Sequence, residues 1–139
     1  MTARDFWSCP YCQRKFTSRN QSHACIFYPV EQHLELANPH VVELYERFAE
    51  MVKKCGDAII EATKTSIVFK TPVMFAVIHL KKSSLAVAFW LPHPLDHPRI
   101  RRIYSDSPHN YAHHIRINSV EELDQQLQNW LCEAYLAAI

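Results

Sequence analysis

Apolar and polar positions along the chain define two helical stretches separated by a long segment in which the period drops to two. In NPHVVELYERFAEMVKKCG, residues Val41, Leu44, Tyr45, Phe48, Met51, Val52 and Cys55 recur at helical spacing. Asn38 suits the N-cap and Pro39 the first helical position, while Gly56 falls where a left-handed C-terminal cap is wanted. The C-terminal stretch repeats this logic. Ser119 and Glu122 read as a capping box, followed by Val120, Leu123, Leu127, Trp130, Leu131, Ala134 and Ala138 on one face. A short helical turn over residues 29–36 is expected to precede the first main helix.

Between the helices, residues 58–61, 65–70, 73–80, 85–91, 100–104 and 112–118 read as strands, punctuated by turns such as KTP, KKSS and SDSPHN. AVIHLKKSSLAVAFWL is largely apolar on both alternating faces, which marks central strands. Such short connections favour antiparallel hairpins, because a parallel crossover needs about a dozen residues or more. The expected class is therefore α+β: a mostly antiparallel sheet of five or six strands packed with two main helices, plus a small N-terminal knuckle. The expected division is a knuckle segment over 1–28 and an α+β domain over 29–139.

Composition narrows this picture. The 139 residues, 48% hydrophobic and 21% charged, suit one globular domain with an appendage. No apolar run approaches the ~20 residues of a membrane helix, and MTARDFWSCP lacks the apolar core of a signal peptide. These features predict a cytoplasmic protein with no membrane partner. Thiols in that compartment stay reduced, so the five cysteines argue against a disulfide framework. Cys55 and Cys132, both on helices, read as packing residues.

The remaining cysteines crowd into CPYCQRKFTSRNQSHAC. A CxxC pair brings two thiolates to one ion, and zinc takes four N or S ligands tetrahedrally. Cys9, Cys12, His23 and Cys25 fill all four positions, which predicts a closed structural Zn2+ site rather than a catalytic one. His33 stands as a competing fourth ligand. Few large apolar residues occupy this segment, so metal binding is expected to supply much of its folding free energy.

CPYCQRKFTSRNQSHAC resembles the N-terminal knuckle of an uncharacterised bacterial domain-of-unknown-function family, in which a CxxC pair and an RNQSHxC-type segment precede a compact domain. KTSIVF, MFAVIHL, HPRIRRI and AHHIRI resemble the sheet of the same family, and the main domain is similar to the end domain of predicted transport proteins. The resemblance implies kinship and no particular activity. Gln13 stands where such knuckles often carry glycine.

A formal net charge of +1 conceals a segregated pattern. Residues 1–30 and 65–118 carry +3 and +5, whereas 31–64 and 119–139 carry −3 and −4. The basic residues of LPHPLDHPRIRRIYSDSPHNYAHHIRI lie mostly on strands. Alternation puts Tyr111, His113, Ile115 and Ile117 on one face and His114, Arg116 and Asn118 on the other. If the last two strands are neighbours, His114 and Arg116 adjoin one of the arginine sets, and guanidinium groups bind phosphate oxygens in paired hydrogen bonds. The candidate ligand-binding set is Arg14, Lys15, Arg19, Arg99, Arg101, Arg102, His113, His114 and Arg116, for an anionic ligand or nucleic acid. A solvated polar face, with His113 as a hydrogen-bonded interior residue, is the plainer alternative.

Enzyme signatures are scarce. A single glycine excludes glycine-rich phosphate loops and the GxSxG elbow. The leading expectation is a non-enzymatic binding protein. The alternatives are an interaction or homodimer module built on Phe6, Trp7, Phe27 and Tyr28, or an enzyme with a pocket lined by His113, His114 and Arg102.

Overall fold

The computed structural model describes residues 7–8, 10, 15–16, 29–71 and 73–139. The expected metal ligands Cys9, Cys12, His23 and Cys25 lie outside this set, as do Arg14 and Arg19. Two short strands, β1 (Trp7–Ser8) and β2 (Lys15–Phe16), pair antiparallel. They are followed by α1 (Val30–Glu35) and α2 (Pro39–Cys55). Next come β3 (Ile59–Ala62), β4 (Ile67–Lys70), β5 (Met74–Leu80), β6 (Leu85–Leu91), β7 (Arg102–Ser107) and β8 (Asn110–Ile117). A 3-10 turn over Val120–Glu122 leads into α3 (Gln125–Ala138).

The six longer strands form one sheet in the order β3-β4-β5-β6-β8-β7, with every neighbouring pair antiparallel. This is the α+β architecture expected from the sequence. The loop after β6 carries the chain past the next position and places β7 at the edge, so β8 returns between β6 and β7.

Both main helices cover one face of the sheet. The apolar stripe of α2 buries Val41, Leu44, Phe48 and Val52, and α3 buries Leu127, Leu131 and Ala134. Phe48 meets Phe69 at 5.3 Å between ring centroids, Phe75 meets Tyr135 at 5.6 Å, and Phe89 stacks on Trp130 at 5.8 Å. Each fully buried Phe or Leu side chain contributes about 1.5–3 kcal/mol. Interlocking of these rows between helix and sheet therefore dominates the stability of the domain.

Local signals hold α2 as expected at its start and differently at its end. Asn38 accepts the His40 N–H at 2.9 Å, with Pro39 in the first turn. Gly56 has φ +148° and ψ −173°, an extended conformation with positive φ rather than the left-handed helical cap expected. Glycine is required there twice over. A Cβ on residue 56 would lie 2.4 Å from Tyr135 Oη, which itself donates to the Asp57 carbonyl at 3.0 Å.

At the start of α3 the expected cap divides in two. The Glu122 carboxylate accepts the Asn118 and Ser119 N–H groups at 2.8 and 3.1 Å, but that turn is 3-10 and ends at Leu123. The helix proper is capped by Asp124, whose carboxylate accepts the Leu127 N–H at 3.1 Å.

One expectation is overturned. Cys55 and Cys132 are not separate packing thiols but a disulfide, with Cα atoms 5.0 Å apart and 77 residues of separation. Each sits on the packing side of its own helix, as read from sequence. Only the docking of α2 alongside α3 in the same direction, which sets His40 by Asn118, Met51 by Gln128 and Asp57 by Tyr135, brings the two sulfurs together. Gln128 spans the join: its amide donates to the Met51 carbonyl at 2.8 Å and lies 3.3 and 3.2 Å from the two sulfurs. No helix among the described residues is long and apolar enough to cross a membrane.

Candidate anion-binding face

Strand register decides which basic residues meet. In one row across the sheet, Arg102 pairs with His114, His114 with Ala88, and Ala88 with Val77. In the next row Arg116 pairs with Ala86, and Ala86 with His79. Alternation puts both rows on the face opposite the helices, because Phe89, Val87 and Ile115 occupy the intervening core positions. The alanines of β6 leave a shallow trough between His79 on one side and His114, Arg116 and Arg102 on the other.

Each side chain of this trough is held in place. Arg102 donates to Tyr104 Oη at 2.8 Å, and its guanidinium lies 6.0 Å from the Tyr104 ring centroid. Tyr104, 49% exposed, meets the His114 ring edge-on at 5.2 Å. Arg116 donates to Ser84 Oγ at 3.1 Å, and His79 Nδ1 lies 3.1 Å from the Thr65 carbonyl. Burial, then the Arg102 guanidinium and the His79 ring nearby, hold the His114 pKa below the ordinary 6.5. Arg102 and Arg116 make no salt bridge among the described residues, and the one carboxylate at the far edge of this face, Glu61, is paired with Lys70 at 2.9 Å.

The expected ligand-binding set is thus split by the sheet. Arg102, His114 and Arg116 converge. Arg101 precedes β7, donates its backbone N–H to the His114 carbonyl at 2.8 Å, and exposes its side chain. Arg99 turns the other way. It donates to Asp124 at 3.0 Å and to the Glu122 carbonyl, and its guanidinium lies 5.8 Å from the Trp130 ring, so it ties the β6–β7 loop to α3. Burial acts to raise the Asp124 pKa, but the Leu127 N–H and Arg99 outweigh it and leave the carboxyl below its usual value.

His113 faces the core and is fully buried. Its Nδ1–H donates to the Tyr111 carbonyl at 3.0 Å, its Nε2 accepts the Leu95 N–H at 3.0 Å, and its ring stacks on Phe89 at 5.3 Å. Both nitrogens are therefore engaged, as in the plainer sequence reading, and none remains for a ligand. A pocket lined jointly by His113, His114 and Arg102 does not form, because adjacent strand residues point to opposite faces. His33, the competing metal ligand, lies on α1 with Nε2 2.7 Å from the Thr63 carbonyl. Among the described residues no cluster of His, Cys, Asp and Glu is arranged to hold a metal.

Sequence reasoning missed His79. The signal was present, since alternation around Ile78 sends His79 to the face away from the core, but its neighbours depended on pairing. A second missed pair, His93 with Glu133, is exposed and lies at the β6–β7 loop beside α3. Hydrogen bonding to Glu133 raises the His93 pKa above 6.5.

Fold and site together define an α+β domain whose sheet is covered by helices on one face and carries a cationic trough on the other. The chain belongs to the family described as Domain of unknown function (DUF5655), which matches residues 30–138. No curated protein and no solved structure shows a significant match to the chain.

Proposed function

We propose that the trough binds a phosphate-bearing ligand without chemical conversion. The observation that carries this reading is the convergence of Arg102, His114, Arg116 and His79 across an alanine floor, with no carboxylate neutralising the guanidinium groups among the described residues. Guanidinium groups held by Tyr104 and Ser84 are preorganised for paired hydrogen bonds to phosphate oxygens. Titration calorimetry with inorganic pyrophosphate tests it. Arg116→Ala and Arg102→Ala should each weaken binding about tenfold, roughly 1.4 kcal/mol.

Acidification should tighten the same interaction. His114 is neutral near pH 7 because its pKa is lowered, and a bound anion favours the protonated ring, so binding takes up a proton. Affinity, corrected for the ligand's own protonation, should therefore rise as pH falls below about 6.5, and His114→Gln should weaken that dependence. Pyrophosphate affinity indifferent to Arg102, Arg116 and pH would count against the proposal.

The N-terminal segment belongs to the same reading. Three thiolates and one imidazole, from Cys9, Cys12, Cys25 and His23, are a donor set suited to structural zinc. The pairing of β1 with β2, which flank Cys9 and Cys12 in sequence, supports a knuckle there. Such a knuckle would position Arg14, Lys15 and Arg19 as further phosphate contacts. About one equivalent of zinc per chain is expected by elemental analysis, lost in Cys9→Ser/Cys12→Ser. Chelation should accelerate amide exchange in residues 1–28 and leave the six-stranded sheet protected.

A further inference from the structure

The cationic trough does not end at the sheet face. Arg116 reaches Ser84, and Ser84 lies in the β5–β6 turn that carries Lys81 and Lys82. His79 likewise meets Thr65, beside Lys64 in the β3–β4 turn. These lysines, all exposed, line an open cleft of about 730 Å³ at the end of the sheet, closed on its other side by His33, Leu36 and Asn38 of the α1–α2 segment. Glu35 is the one carboxylate among the described lining residues.

From the Arg102–His114 row to this turn is about 13 Å along the strands, at roughly 3.3 Å per residue. Small anions do not need such a length. Resting on the phosphate-binding reading above, we infer that the ligand is single-stranded nucleic acid, its backbone running from Arg102 past His114 and Arg116 and around the sheet end onto Lys81, Lys82 and Lys64.

Two features select this occupant. First, the strip combines cations with an exposed aromatic: Tyr104 lies at its start, and a positive groove interleaved with stacking rings is how proteins hold unpaired strands. Second, the strip bends from the face of the sheet over its end. A duplex, stiff over about 150 base pairs, does not follow a bend of that size, whereas a single strand does. Neither an acidic peptide nor a lipid headgroup would use the Tyr104 platform.

Fluorescence anisotropy of the full chain with labelled oligothymidylates of about 4, 8 and 12 nucleotides tests the inference, with pyrophosphate as competitor. Affinity should rise at least about tenfold from the shortest to the longest, with a salt dependence that steepens as phosphates are added. Lys81→Ala/Lys82→Ala, in an exposed turn, should remove most of that gain and leave the shortest oligomer and pyrophosphate bound as before. Circular dichroism would verify that this variant is folded.

Equal affinity at all three lengths, with pyrophosphate still competing in an Arg116-dependent way, would overturn the extended strip and leave the sheet-face site standing. Loss of pyrophosphate binding itself would overturn both. Tighter binding of polyglutamate or of anionic lipid vesicles than of the longest oligomer would overturn the choice of nucleic acid.

Discussion

Reducing the disulfide between Cys55 and Cys132 should lower the stability of the folded chain by about 4 kcal/mol. The bond closes a loop spanning 77 residues that contains the whole sheet, and cross-linking so long a segment removes a large part of the conformational freedom of the unfolded chain. It also joins the end of α2 to the middle of α3, the two helices whose buried rows hold the core. Urea unfolding of Cys55→Ser/Cys132→Ser should give a lower midpoint than the oxidised parent, and reductant should move only the parent. A parent midpoint indifferent to reductant would show that the bond does not constrain the chain. Gln128→Ala, which keeps the bond but removes the amide across it, should cost about 1 kcal/mol through loss of the hydrogen bond to the Met51 carbonyl.

His113→Ala should destabilise the domain by about 3 kcal/mol. The change opens a cavity beside Phe89 and strips the Leu95 N–H and the Tyr111 carbonyl of their partner. His113→Phe should cost less, because the ring remains, but still leaves both backbone groups unsatisfied. The pair also makes a pH prediction.

Burial is the main reason that the His113 pKa is lowered, outweighing the Tyr111 and Phe89 carbonyls and Glu133, which raise it; nearby His93 lowers it further. A folded pKa below the unfolded value of 6.5 means that the native state binds fewer protons. Its contribution is therefore complete above about pH 6.5 and is lost as pH falls from there toward the folded value. His93 acts with opposite sign, since Glu133 raises its pKa, and its contribution fades as pH rises; half exposed, it is screened by solvent. Chemical unfolding between about pH 7.5 and 5 should show stability falling with acid in the parent, with a shallower slope in His113→Phe. Equal slopes would place the titration elsewhere.

Much of the fold was legible from local chemistry. The stripe from Val41 to Val52, Asn38 with Pro39, and the period-two alternation of β5, β6 and β8 each report the environment of a residue through its near neighbours in sequence. Boundaries were less so. The strand placed at 100–104 runs over Arg102–Ser107 instead, because Ile100 and Arg101 belong to the loop that carries β7 to the edge. At the second helix, Ser119 and Glu122 signalled a start that Asp124 actually caps, since two capping residues five positions apart offer the backbone two competing turns.

For the site, strand alternation by itself separates His113 from His114, and the neighbour condition on the last two strands is met by the pairing of Arg102 with His114. Assigning Arg99 away from the trough required the position of α3. So did joining Cys55 to Cys132.

Sequence alone determined the class of fold, the faces of each helix and strand, and the concentration of positive charge in the strand region, because periodicity and capping depend on residues a few positions apart. Tertiary structure decided which residues meet: His79 with Arg116, Ser84 with Arg116, one sulfur with the other, and Arg99 with Asp124. Those partnerships follow from strand order and helix docking, which the burial of whole apolar faces sets collectively, and no short stretch of the chain encodes them.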